Sequence, residues 1–220
     1  MVRWVRPVVV ALALAGMTAL SGVVLGRIFA GPLLAELVAG AAVGSVGIGL
    51  AARRLPSSTV APVSVAVLSA YAVLALWISA QRAGVGGSLG HVAGDALVNG
   101  IPRLLTAMIP VEPTPDTVIV PVIAAWLAGL AGTEVAVRAG RVLFGIAPAA
   151  LLYVAALYVV GPNAGAAGWP TLAFAGLGVA ALAVSNRPAD AGALREVSAK
   201  TRVVQPAVDA FGPTTYSAPA

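Results

Sequence analysis

Residues 88–138 read SLGHVAGDALVNGIPRLLTAMIP (Ser88–Pro110), VEPTPDT (Val111–Thr117) and VIVPVIAAWLAGLAGTEVAVR (Val118–Arg138). In the first part Leu89, Val92, Ala93, Ala96, Leu97, Ile101, Leu104, Leu105 and Met108 recur at steps of three and four. Between them His91, Asp95, Asn99 and Arg103 recur at steps of four. This is the period of an amphipathic helix, about 3.6 residues, predicted over residues 88–109. The third part is apolar and long enough to cross a bilayer. An amphipathic helix joined to a span by a Pro-rich connection belongs at a membrane interface. The predicted fold class is therefore an all-α integral membrane protein, a bundle of about six transmembrane helices with one extracytoplasmic interfacial helix.

Composition supports that reading. The 220 residues are 60% hydrophobic and 10% charged, with mean hydropathy +0.97, where a water-soluble domain carries roughly a quarter charged residues. The apolar content is mainly Ala, Val, Leu and Gly with 5% aromatics, so helices should pack closely through small residues. The alternation of a membrane β-barrel is absent. The net charge of +5 sits at the ends of apolar runs, which fits membrane topology better than nucleic-acid binding. With no cysteine, disulfides, thiolate metal sites and a cysteine nucleophile are excluded from this chain.

Working outward, spans are predicted at about 7–26, 33–52, 60–80, 117–137, 142–160 and 169–184. Arg3, Trp4 and Arg6 precede the first, whose start resembles a signal peptide. Its roughly 20 apolar residues exceed a signal core and favour an uncleaved span. Gly31-Pro32, Pro56-Ser57-Ser58 and Gly84–Gly87 mark turns. Pro102 should kink or split the amphipathic helix. Pro110, Pro113 and Pro115 make the following connection extended, and Thr114-Pro115 reads as a helix N-cap and first helical position. Residues 187–220 form a polar tail in which 189–204 has helical pattern and the remainder reads as disordered.

Six spans put both termini on one side. That side receives Arg3, Arg6, Arg53, Arg54, Arg138, Arg141, Arg187, Arg195, Lys200 and Arg202, and the other receives Arg27, Arg82 and Arg103. Basic residues concentrate in the cytoplasm. The expected topology is thus a plasma-membrane protein with cytoplasmic termini and an extracytoplasmic loop over residues 83–116.

Five groups of residues stand out as candidates for chemistry, packing or anchoring. His91, Asp95, Asn99 and Arg103 share one helical face, where a His beside a carboxylate can serve as an acid–base pair or weak metal site. The plainer expectation is a solvated face, since neither a nucleophile nor a third metal ligand accompanies them. Glu36 lies a turn inside the second span, close enough to its end to reach the interface or Arg27. Glu134 and Arg138 are placed for an i,i+4 ion pair. Gly22/Gly26 and Gly40/Gly44 have helix-packing spacing, and Trp77, Tyr153, Tyr158 and Trp169 read as interface anchors. No cofactor is expected.

The segment Arg103–Asp116, RLLTAMIPVEPTPD, followed by a span with Pro121 and Trp126 and then Gly132-Thr133-Glu134-Val135-Ala136-Val137-Arg138, resembles the N-terminal membrane domain of bacterial transglutaminase-like (TgpA-type) membrane proteins. The general span layout is similar over about Arg3 to Arg187; the specific similarity lies in Arg103–Arg138. The resemblance implies a further span and an extracytoplasmic papain-like domain with a Cys-His-Asp triad. With no Cys and one His, this chain cannot supply that triad, so the resemblance implies a truncated, split or excerpted member. The expected role is a non-catalytic membrane anchor or scaffold, with the lipid bilayer and a transglutaminase-like domain or other membrane subunit as partners. The alternative is a small multi-span transporter or channel.

Overall fold

The computed structural model describes residues 2–54, 57–106, 108–161 and 168–185. These form seven α-helices: α1 Val2–Leu25, α2 Leu33–Ala51, α3 Ser57–Ala83, α4 Leu89–Thr106, α5 Pro115–Thr133, α6 Val142–Val160 and α7 Gly168–Ser185. A short 3-10 turn, Ala52–Arg54, follows α2, and a π-helical segment, Glu134–Arg138, continues α5. All helices except α4 are long and apolar enough to cross a membrane, so the chain is an all-α, multi-pass membrane bundle. Its form follows from the solvent: in lipid each backbone polar group must be satisfied within its own segment, which a helix achieves. The predicted polar tail, with its helical pattern at 189–204, lies outside the described residues.

Helix α1 runs through the middle of the bundle against α2, α5, α6 and α7, while α5 also packs on α2, α3 and α4. Burial ranks the same way. Two thirds of the most apolar stretch of α1 is buried (67%) against 28% for α3 and α6 and 11% for α7, so the last three form the lipid-facing perimeter. The α1–α2 turn, α4 and the start of α5 stand at one end of the bundle, the α4 end. At the far end Arg6 donates to the Ser185 carbonyl at 2.5 Å, joining the start of α1 to the close of α7.

Trp126 of α5 anchors the interior at 1% exposure. Its indole N–H donates to Ser64 Oγ of α3 at 3.2 Å, and the Tyr71 ring lies 5.7 Å away. Gly44 makes this possible, since a Cβ there would stand 3.0 Å from the Trp126 ring. Gly40 likewise faces the Tyr71 phenol, whose hydroxyl donates to the Leu37 carbonyl at 2.7 Å. The Gly40/Gly44 pair therefore serves packing between α2 and its neighbours inside the bundle, as small residues do in membranes.

Two expectations are corrected. Pro102 does not split α4, which is continuous from Leu89 to Thr106. The missing N–H frees only the Val98 carbonyl, and both Val98 and Pro102 lie on the exposed side of the helix. Tyr153 is not an interface anchor: it is 3% exposed, shares a hydrogen bond with Thr171 at 3.0 Å and stacks on Phe174 at 4.3 Å. Tyr158, Trp77 and Trp169 do stand exposed on the perimeter.

Candidate functional site

Positive-φ glycines Gly84 and Gly87 turn the chain out of α3, and the Ser88 carbonyl accepts the Val92 N–H at 3.1 Å to open α4. Three faces of α4 then separate by helical spacing. Ala96, wholly buried against Leu76 and Ile119, and Gly100 and Leu104 face the bundle. Leu97, Val98, Ile101 and Leu105 are exposed. Asp95, Asn99 and Arg103 form the polar face between them.

Gly100 decides how close α4 comes. A Cβ at this position would meet the Asp116 carbonyl oxygen at 2.7 Å and Val120 Cγ2 at 3.0 Å. With hydrogen there instead, α4 seats directly on the first turn of α5. Arg103, three residues on, then reaches Asp116 Oδ2 at 2.6 Å and Asp95 Oδ2 at 3.1 Å. Asn99 Nδ2 donates to the other oxygen of Asp95 at 2.6 Å. The Asp116 side chain is 12% exposed, against 52% for Arg103 and 40% for Asp95, so Asp116 is the partner that water shields least. The two carboxylates, Asp116 foremost and then Asp95, hold the Arg103 guanidinium above its ordinary pKa.

The connection from α4 to α5 is equally constrained. Val111 is 3% exposed; its N–H donates to the Ile28 carbonyl at 2.7 Å and its carbonyl accepts from Ala30 at 2.9 Å. This isolated β-bridge with Phe29 stitches the connection to the α1–α2 turn. Thr114 adopts the extended N-cap conformation and Pro115 takes the first helical position, as its spacing predicts. Thr117 Oγ1 accepts the Thr114 N–H at 3.1 Å and donates to the Glu112 carbonyl at 2.9 Å. Between the end of α4 and this connection lies an open cavity of about 390 Å³, lined by Arg103, Thr106, Glu112, Thr114, Asp116 and Thr117 together with the apolar Met108, Pro110 and Val111.

The sequence-predicted residues thus divide. Asp95, Asn99 and Arg103 come together as a bonded network on a face that stays open to solvent, Arg103 being 52% and Asp95 40% exposed. His91 is exposed and its imidazole stays outside that network, which removes the His–carboxylate pair. Among the described residues no group of three or more His, Cys, Asp or Glu is placed to hold a metal. Glu36 stands exposed in the first turn of α2, where the helix dipole favours an anion. At the far end Arg138 Nη1 donates to Glu134 Oε2 at 3.0 Å, and its Nη2 donates to the Ala52 carbonyl at 3.3 Å. The expected pair is therefore formed, within a π-helical turn, and it ties the end of α5 to the end of α2.

Sequence reasoning missed Asp116 as the partner of Arg103, and Val111 as a buried clamp. The available signal was an acid in the first turn after Thr-Pro, but a pairing across 13 residues and a Pro-rich connection has no periodicity to reveal it. Chemically Arg103, Asp95 and Asp116 satisfy one another, Glu112 stands exposed beside them, and Thr114 and Thr117 are engaged in capping; the site is a clasp between α4 and α5. Comparisons with protein-family models, with curated proteins and with solved structures gave no match to this chain.

Proposed function

We propose that the chain is a non-catalytic membrane anchor and scaffold domain of a transglutaminase-like cell-envelope protein. It resides in the plasma membrane with its termini in the cytoplasm and with α4 and the following connection outside. Charge supports the orientation: the far end gathers Arg6, Arg53, Arg54, Arg138 and Arg141, while the α4 end has Arg27, Arg82 and Arg103. Basic residues favour the cytoplasmic side.

The observation that carries the scaffold reading is the double fastening of residues 103–117, to α5 through Arg103–Asp116 and to the α1–α2 turn through Val111. These residues are the first part of the Arg103–Arg138 stretch that bears the family resemblance. Arg103, Thr114, Asp116 and Thr117 within this segment are engaged in holding its own shape, which suits a stiff outward platform for an attached domain. The transporter reading has less support. Every Asp, Glu, Lys and Arg in the six described spans lies within five residues of an end, and ion pathways place such residues deeper. The buried hydroxyls of Thr18, Ser45, Ser79 and Thr133 bond to carbonyls of their own helices.

The coding sequence downstream of this chain tests the proposal. A further span followed by a domain with Cys, His and Asp is the expected finding. An unrelated gene there, with this chain produced alone, contradicts it.

A further inference from the structure

Between α1 and α7, on the lipid-facing surface, runs an open crease of about 500 Å³ with almost entirely apolar walls. Gly16, Ala19 and Val23 line it from α1, and Ala173, Gly176 and Leu177 from α7. The two helices touch at its base, since a Cβ on Gly16 would meet Leu177 Cδ1 at 2.8 Å. Gly176 leaves the space above empty: its missing Cβ would find nothing within 4 Å. A second helix, about 10 Å across, cannot enter a crease whose walls already touch, whereas a single hydrocarbon chain can.

Helical spacing adds a polar end. Past the end of α1 at Leu25, the N–H groups of Gly26 and Arg27 still bond back to the Gly22 and Val24 carbonyls, which carries the line Gly16, Ala19, Val23 on towards Arg27, exposed in the α1–α2 turn. On α7 Leu177 and Ala173 lead back one turn to Trp169, which is 65% exposed. Both stand at the α4 end, where the spans reach the headgroup level. A guanidinium matches the geometry of a phosphate, and an indole suits the lipid–water boundary.

We propose that the α1–α7 crease binds one acyl chain of an anionic phospholipid, whose phosphate lies at Arg27 and whose glycerol region lies beside Trp169. The inference requires only that α1 and α7 span the membrane, and is independent of the anchor role and of the orientation proposed above.

Native mass spectrometry of the purified full chain, incubated separately with phosphatidylglycerol and phosphatidylcholine, tests it. The unmodified chain should retain one phosphatidylglycerol and retain phosphatidylcholine less. Gly176→Leu, which fills the crease from α7, and Ala19→Leu, which fills it from α1, should each lose the adduct. Gly47→Leu, another site with nothing within 4 Å of the added Cβ, should keep it. Arg27→Gln should retain lipid but level the preference between the two headgroups. Equal retention of both lipids by the unmodified chain, or an undiminished adduct in both filled variants, overturns the proposal. A second copy of the chain, rather than a lipid, lost on filling the crease also overturns it.

Discussion

Arg103, near the end of α4, donates at 2.6 Å to Asp116, in the first turn of α5, although 13 residues and three prolines separate them. The bond holds an amphipathic helix against a span at the level where the span begins. Its second carboxylate, Asp95, approaches at 3.1 Å and is far more exposed. Asp116→Asn should therefore loosen α4 more than Asp95→Asn does. Amide hydrogen exchange over residues 89–106 checks this. Equal protection in both variants would mean that the ion pair does not hold α4.

Close approach precedes the ion pair, so Gly100 should be the more sensitive position. Gly100→Ala forces a Cβ to within 2.7 Å of the Asp116 carbonyl, and overpacking of this kind costs about 1–3 kcal/mol. Gly94→Ala, on the exposed side with nothing within 4 Å, should stabilise by about 0.5–1 kcal/mol through helix propensity. Opposite shifts in thermal unfolding in detergent are the expected result.

The clasp should respond to salt and not to mild alkali. Arg103 is raised above its ordinary value by Asp116 and Asp95. A group raised in the folded state contributes fully below its unfolded pKa and loses that contribution only as pH rises through the folded value. That window lies beyond ordinary alkaline conditions, so exchange in α4 should gain no pH-dependent loosening between about pH 7 and 9 beyond intrinsic chemistry. Because Arg103 is 52% exposed, raising salt to about 1 M should screen the pair and speed exchange.

Within the bundle, Trp126 fills the space that Gly44 leaves and binds Ser64. Trp126→Ala should cost about 3 kcal/mol by leaving a cavity, and Ser64→Ala about 1 kcal/mol by orphaning the indole N–H. Equilibrium unfolding in mixed micelles measures both. A Trp126→Ala variant as stable as the parent would contradict the packing described.

Much of the fold was legible because the bilayer imposes length and polarity on each span. Runs such as Val142–Val160 announce themselves, and Thr114-Pro115 marks a helix start by local chemistry alone. The amphipathic period of α4 was equally plain. What could not be read was which of its faces meets the bundle. Ala96 is only one of many apolar positions in that period and Gly100 carries no hydrophobic signal, and both meet the bundle because smallness permits contact. The tertiary pairs Arg103–Asp116 and Val111–Ile28 depend on how the Pro-rich connection folds back, which has no repeating pattern. Tyr153 was misread for a related reason: position near a helix end does not tell whether a ring faces lipid or Phe174.

The central claim, that α4 stands outside while the arginine-rich end faces the cytoplasm, is open to direct measurement because the chain has no cysteine. Single substitutions Ser88→Cys, ahead of α4, and Ala139→Cys, beside Arg138, each place one thiol at opposite ends of the bundle. An impermeant maleimide added to intact cells should label Ser88→Cys and leave Ala139→Cys unlabelled until the membrane is opened. Labelling of Ala139→Cys alone, or of both equally, would contradict the account.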